Sequence, residues 1–136
     1  MVRAAAVIRT AAIGFAWAGL CGAGDNDVLI FGGHGHDVFL GCLTCDKYAS
    51  DSVWNDYSKY GWANGYGEWN PYGSYKSVYP STSACSVYAS DPPVLVDRSG
   101  GFYGYLTVSS YKTNSICGPQ GSEQICTALK VMCATD

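Results

Sequence analysis

Apolar positions along this chain gather into two short runs that share one plan. Val28-Leu29-Ile30 leads through a glycine-rich turn into Phe39-x-Gly41-x-Leu43-Thr44. Val94-Leu95-Val96 leads through Ser99-Gly100-Gly101 into Phe102-x-Gly104-x-Leu106-Thr107. Short β-branched and aromatic runs, divided by glycines that reach positive φ at little cost, predict two similar β-hairpins. Gly41 and Gly104 stand at matching places inside the second strands, which predicts a bulge or a close backbone approach at each. Pro92-Pro93 gives the second hairpin a stiff, extended lead-in and cannot donate to a ladder, so it precedes the strand.

Between the hairpins neither the helical nor the strand period is sustained. A different unit recurs there: an aromatic residue or cysteine, two residues, then tyrosine, as Cys45-x-x-Tyr48, Trp54-x-x-Tyr57, Trp69-x-x-Tyr72 and Cys85-x-x-Tyr88. The lead residues are nine, fifteen and sixteen apart, too irregular for a long solenoid, and the glycine content opposes long helices. Short turns that each send one tryptophan or tyrosine inward are expected. Cysteine in the outer pair of units and tryptophan in the inner pair favours a Cys45–Cys85 bridge. After Gly118-Pro119, Ile125, Leu129 and Met132 recur at helical intervals and predict a short C-terminal helix. The fold class is therefore mainly β, with a small α+β arrangement as the variant: two hairpins flanking an aromatic repeat, a terminal helix, and disulfides. Residues 25–114 form the hairpin and repeat domain, and 115–136 a cysteine-bearing extension.

Residues 1–24 differ from the rest, with Arg3 and Arg9, an apolar run from Ala11 to Cys21, no acidic residue, and small residues at Ala23 and Gly24. That is the form of a secretory signal peptide. The run is shorter than the roughly 20 residues a spanning helix needs, so no stable membrane span is expected. Leu20 before Cys21 argues against a lipoprotein anchor. Cleavage there also resolves the odd count of seven cysteines. Cys42, Cys45, Cys85, Cys117, Cys126 and Cys133 remain and can pair completely in an oxidising compartment, with fifteen connectivities open. No second Cys-x-x-Cys or paired histidines follow at zinc-ligand spacing. Without Arg3 and Arg9 the chain has six basic and eleven acidic residues, so no basic patch invites nucleic acid.

Candidate chemistry is sparse. Gly32 to Leu40, "GGHGHDVFL", fits a calcium-binding nonapeptide, with Asp25, Asp27 and Asp37 as oxygen ligands. Such sites need stacked copies, and the preceding "GAGDNDVLI" is out of register, so a plain turn is favoured. His34 and His36 with Asp37 offer a metal site or a general base with its orienting acid; exposed turn residues are the simpler reading. No carboxylate pair is placed for acid–base work, Glu68 with Asp56 being the nearest. Trp54, Trp62 and Trp69, with the eight tyrosines from Tyr48 to Tyr88, Tyr57 and Tyr72 foremost, offer flat faces for sugar stacking, and Asn55 and Asn70 directional hydrogen bonds. The same rings can instead fill the core.

The ordered set "FLGCLTCDKY", "SVWNDYSKYG", "GEWNPYGSY", "ASDPPVLVD" and "GGFYGYLTVSSY" resembles uncharacterised small secreted bacterial proteins. These carry tandem Ser-x-Trp-Asn-x-Tyr units followed by Pro-Pro-Val-x-Val-Asp and Gly-x-Phe-Tyr-Gly-Tyr. The resemblance spans residues 28–111 and implies secretion, not a particular activity. Departures are Cys85-Ser86 in place of a last Trp-Asn, a longer first turn with two histidines, and the cysteine-bearing tail. The expected function is a secreted, non-catalytic extracellular or cell-envelope module, binding or structural, with no resident cofactor and self-association as one mode. Aromatic-surface glycan binding is one alternative, and metal-dependent chemistry at His34, His36 and Asp37 is another.

Overall fold

The structure, a computed structural model, describes residues 26–134. The segment expected to be a signal peptide, residues 1–24, and Asp25 lie outside the described residues. Four strands, β1 (Val28–Gly32), β2 (Val38–Cys42), β3 (Val94–Asp97) and β4 (Phe102–Tyr105), and one helix, α1 (Glu123–Ala134), follow in chain order. The strands form a single antiparallel sheet in the order β2-β1-β3-β4. Each hairpin thus supplies one central and one outer strand, and β1 pairs with β3 to join them. The fold is mainly β, as the apolar pattern predicts.

The two hairpins match in detail. In β2 the pairing skips Leu40, since Ile30 opposes Gly41 and Phe31 opposes Phe39; in β4 it skips Tyr103, since Leu95 opposes Gly104 and Val96 opposes Phe102. Gly41 and Gly104 have φ of 124° and 128°, a region L side chains avoid. Each outer strand then meets the chain ten residues further on, through parallel bridges Cys42–Ser52 and Tyr105–Ser115. The returning chain leaves no room for a side chain at either glycine: an added Cβ would lie 2.8 Å from Val53 Cγ1 at Gly41, and 2.7 Å from the Asn114 carbonyl at Gly104.

Between the hairpins the backbone folds as a coil of consecutive turns. The amides of Ala49, Ser52, Asn55, Ser58, Gly61, Asn64 and Gly67 each donate to the carbonyl three residues back. Trp62 N–H donates to Val53 O, Glu68 N–H to Lys59 O and Ala84 N–H to Tyr75 O, each nine residues apart. Three turns therefore make one winding. The sequence repeats of nine and fifteen are whole multiples of this three-residue step. The repeat of sixteen contains one four-residue step, where Ser77 N–H donates to Gly73 O. Regularity thus exists at a finer grain than the Trp-x-x-Tyr spacing suggests.

Tryptophans hold the coil to the sheet. Trp69 is fully buried, and its Nε1–H donates to Leu40 O; Trp54 Nε1–H donates to Leu43 O. Trp54, Trp62, Trp69 and Tyr75 meet edge to face in series, with centroids 5.0, 6.0 and 6.3 Å apart, the arrangement that aromatic quadrupoles prefer. Trp62 and Trp69 share the main core with Ile30, Leu40, Val53, Leu95, Leu106, Leu129 and Met132.

Ser122 caps α1, its hydroxyl accepting from Ile125 N–H at 3.3 Å, which satisfies one of the free amides of the first turn. The buried face is Cys126, Leu129 and Met132. Disulfides join Cys42–Cys45, Cys85–Cys133 and Cys117–Cys126. The expected Cys45–Cys85 bridge is not formed. Cys45 belongs to a satellite cluster with Leu29 and Cys42, whereas Cys85 lies in the main core against the last turn of α1. Among the described residues no helix is long and apolar enough to cross a membrane.

Candidate functional site: a tyrosine-bearing coil

The coil is built from side chains that fold back on their own backbone. Asp46, Asn55, Asn64 and Asn70 each accept, through Oδ1, the N–H two residues on, from Tyr48, Tyr57, Tyr66 and Tyr72. Ser86 and Ser109 do the same through Oγ for Tyr88 and Tyr111. These are Asx and ST turns, in which a short polar side chain imitates a backbone turn. The asparagines also reach across the coil: Asn55 Nδ2–H donates to Ala49 O, and Asn64 Nδ2–H to Ser58 O.

Tyr60 makes the same turn on Ser58 Oγ and packs its ring on Phe39, whereas the other tyrosines of this set are exposed. Tyr57, Tyr66 and Tyr72 are 96%, 100% and 95% exposed, and Tyr48, Tyr79, Tyr88 and Tyr111 are similarly open. A turn of this kind uses only the backbone amide at that position, so it does not select tyrosine. Nor does packing, since a ring exposed to this degree buries nothing. Tyr48, Tyr57 and Tyr66 are spaced nine residues apart, one per winding. The result is a row of phenol rings held on short, hydrogen-bonded steps.

Of the residues singled out for ligand contact, Tyr57 and Tyr72 stand on this surface. Trp54 is 38% exposed with its indole nitrogen engaged, while Trp62 and Trp69 are buried. Asn55 and Asn70 spend both ends of their amides on the coil, Asn70 Nδ2–H donating to Gly67 O. Tyr48, Tyr66, Tyr79 and Tyr88, of the same stretch, are exposed too, and so is Tyr111, which lies beyond it. The signal for most of them is Asp, Asn or Ser two residues before tyrosine, a shorter unit than Trp-x-x-Tyr.

The first hairpin turn distributes its three polar residues. His34 Nδ1 lies 2.9 Å from Asp91 Oδ2, and His36 Nε2 lies 3.1 Å from the Pro92 carbonyl, with its ring 6.4 Å from that of Tyr105. Both histidines thus tie the turn to the segment that enters β3. His36 holds a φ of 52°, and its N–H donates to Gly33 O. Asp37 sits beside Gly33 and Gly35 and, after burial and the charge of Glu68, contributes to raising the Tyr75 phenol above its ordinary range. Asp27 lies at the opposite end of β1, with Thr44 Oγ1 at 3.4 Å and Arg98 at 3.8 Å. Among the described residues the one compact group of three metal-ligand types is Asp27, Cys42 and Cys45, and its two sulfurs are joined to each other.

The second hairpin centres on Asp97. Burial opposes its ionisation, but Gly101 N–H, Tyr103 O–H and Ser99 Oγ–H and N–H all donate to the carboxylate and hold its pKa below the usual value. Phe102 packs edge to face on Tyr105 at 5.3 Å. No protein-family model matches the chain, and comparisons with curated proteins and with solved structures find none similar to it.

Proposed function

We propose that this protein is a secreted, non-catalytic module of the extracellular space or cell envelope that attaches to glycan through its exposed tyrosines. The observation that carries the reading is the row Tyr48, Tyr57 and Tyr66, with Tyr72 on another side of the same coil, whose rings neither the turns nor the core require. Phenol rings offer an apolar face to the C–H face of a sugar and a hydroxyl at the rim. The turns fix the backbone that carries each ring, an arrangement suited to weak contacts made many times over. Three disulfides and the absence, among the described residues, of a membrane-crossing helix fit a secreted location.

The test is co-sedimentation of the oxidised protein with insoluble cellulose, chitin and purified envelope polysaccharide. Comparison is with a variant carrying Tyr57→Ala, Tyr66→Ala and Tyr72→Ala. Retention of the wild type on at least one polymer, weakened at least about ten-fold in the variant, is expected from losing three ring contacts. Equal retention of both proteins, or no retention of either, refutes the reading.

A further inference from the structure

A cleft of about 160 Å³ opens beside β4, lined by Phe102, Tyr103 and Gly104 on one side and by Asn114, Ser115 and Gln120 on the other. Its position follows from the duplicated hairpin. The residue skipped by the bulge in β2 is Leu40, fully buried, with its carbonyl bonded to Trp69. The corresponding residue of β4 is Tyr103, which is 48% exposed. The bulge that sends Leu40 into the core turns Tyr103 toward the open cleft, a re-aiming such bulges often perform.

The Tyr103 ring is fixed, its O–H donating to Asp97 Oδ2 at 2.8 Å, while Phe102, equivalent to Phe39, takes the other face of the strand and leans on Tyr105. The opposite wall is polar and unspent. Ser115 Oγ–H is engaged with Thr107 O, but the side-chain amides of Asn114 and Gln120 make no hydrogen bond among the described residues. Asn114 is held at a φ of 64°, a conformation asparagine tolerates better than most residues. No charged side chain lines the cleft, so its chemistry selects a neutral ligand with one apolar face and several hydroxyls. The volume lies below the about 300–1,000 Å³ of sites that enclose a drug-sized molecule; it accommodates one ring, partly in solvent.

We propose that this cleft is a subsite for a single neutral pyranose unit of a glycan, stacked on Tyr103 and hydrogen-bonded by Asn114 and Gln120. The inference rests on the glycan reading above and places a second contact point apart from the tyrosine row.

The experiment is an NMR titration of the oxidised, isotope-labelled protein with a panel of soluble probes: cello-, malto- and chito-oligosaccharides. Three proteins are compared: the wild type, a variant carrying Asn114→Gly and Gln120→Ala, and the Tyr57/Tyr66/Tyr72 alanine variant. Glycine at 114 keeps the left-handed backbone while removing the amide. With at least one probe, shifts centred on Tyr103, Gly104, Asn114 and Gln120 are expected. The amide variant should bind that probe about ten-fold more weakly, as expected for two lost hydrogen bonds. Shifts at the tyrosine row without shifts at the cleft overturn this inference and leave the glycan reading intact. Shifts at the cleft that the amide variant does not weaken overturn the assignment of Asn114 and Gln120. No shift anywhere with any probe overturns both.

Discussion

Tyr103 and Asp97 face each other across the second hairpin, the phenol donating to Asp97 Oδ2 at 2.8 Å. Three further donors, Ser99 Oγ–H, Ser99 N–H and Gly101 N–H, converge on Oδ1. Burial works against the charge, and the four donors outweigh it, so the folded-state pKa lies below the ordinary carboxylate value of 3.8. A depressed carboxylate stabilises the fold fully above its unfolded pKa and loses that contribution as pH falls through the folded one. Asp97→Asn should therefore unfold at a lower temperature than wild type near neutral pH. The gap should close as pH falls below about 4. Because the group is largely solvated, the effect is expected to be on the order of 1 kcal/mol or less. Thermal unfolding of both proteins between pH 7 and 2 checks it; a gap that does not change with pH contradicts the carboxylate account.

Asn55 and Tyr57 separate the two uses of the coil. Asn55→Ala removes both the bond to Tyr57 N–H and the donation to Ala49 O, at an expected cost of about 1–2 kcal/mol. Asn55→Asp keeps the first bond and loses the second, so it should fall between wild type and alanine. Tyr57→Ala touches neither and should change stability by no more than about 0.5 kcal/mol. Urea midpoints of the three variants give the ordering. A large loss from Tyr57→Ala would mean that the ring serves the fold.

Gly41 and Gly100 share a positive φ, of 124° and 93°, but not their surroundings. Around Gly100 nothing lies within 4 Å of an added Cβ, whereas at Gly41 that atom would meet Val53 Cγ1 at 2.8 Å and Tyr60 Cβ at 3.0 Å. Gly100→Ala should cost only backbone strain, about 1–2 kcal/mol. Gly41→Ala adds a clash with the winding that covers β2 and should cost clearly more. Equal losses in chemical denaturation would show that the coil yields at this contact.

What the sequence makes legible follows from the period of each signal. Val28-Leu29-Ile30 and Val94-Leu95-Val96 alternate with glycine-rich turns, so strands, hairpins and the bulges at Gly41 and Gly104 can be read directly. Ile125, Leu129 and Met132 mark α1 in the same way, although Cys126 takes the more buried place. The coil is hidden because its step is three residues long and its specification is polar: Asn64-x-Tyr66 makes the same turn as Asn55-x-Tyr57 with alanine, not tryptophan, directly before the asparagine. The unit Trp-Asn-x-Tyr also mixes destinations, sending Trp69 to the core and Tyr72 to solvent. Pairing of the cysteines depends on which cluster each one joins. Cys45 and Cys85 are equivalent in the repeat but separate in space. The cleft beside β4 has no sequence signal of its own, since Tyr103 and Leu40 differ only in what covers them.

Trp69 and Trp54 give the sharpest division between cohesion and surface. Trp69 is wholly enclosed and bonded to Leu40 O, so Trp69→Ala removes a large buried ring and leaves a carbonyl unpaired. The expected loss is about 3–5 kcal/mol, a large share of the roughly 5–15 kcal/mol that holds a domain folded. Trp54 sits at the open end of the ring series, and Trp54→Phe keeps most of its contact with Trp62 while losing the bond to Leu43 O. That variant should remain folded at a cost of about 1 kcal/mol. Acrylamide quenching then distinguishes the rings. Among the described residues the tryptophans are Trp54, Trp62 and Trp69, so in a protein comprising these residues Trp54→Phe should remove most of the quenchable emission. Emission still strongly quenched in that variant would require Trp62 or Trp69 to open to solvent, and the coil could not then be the layer that closes the core.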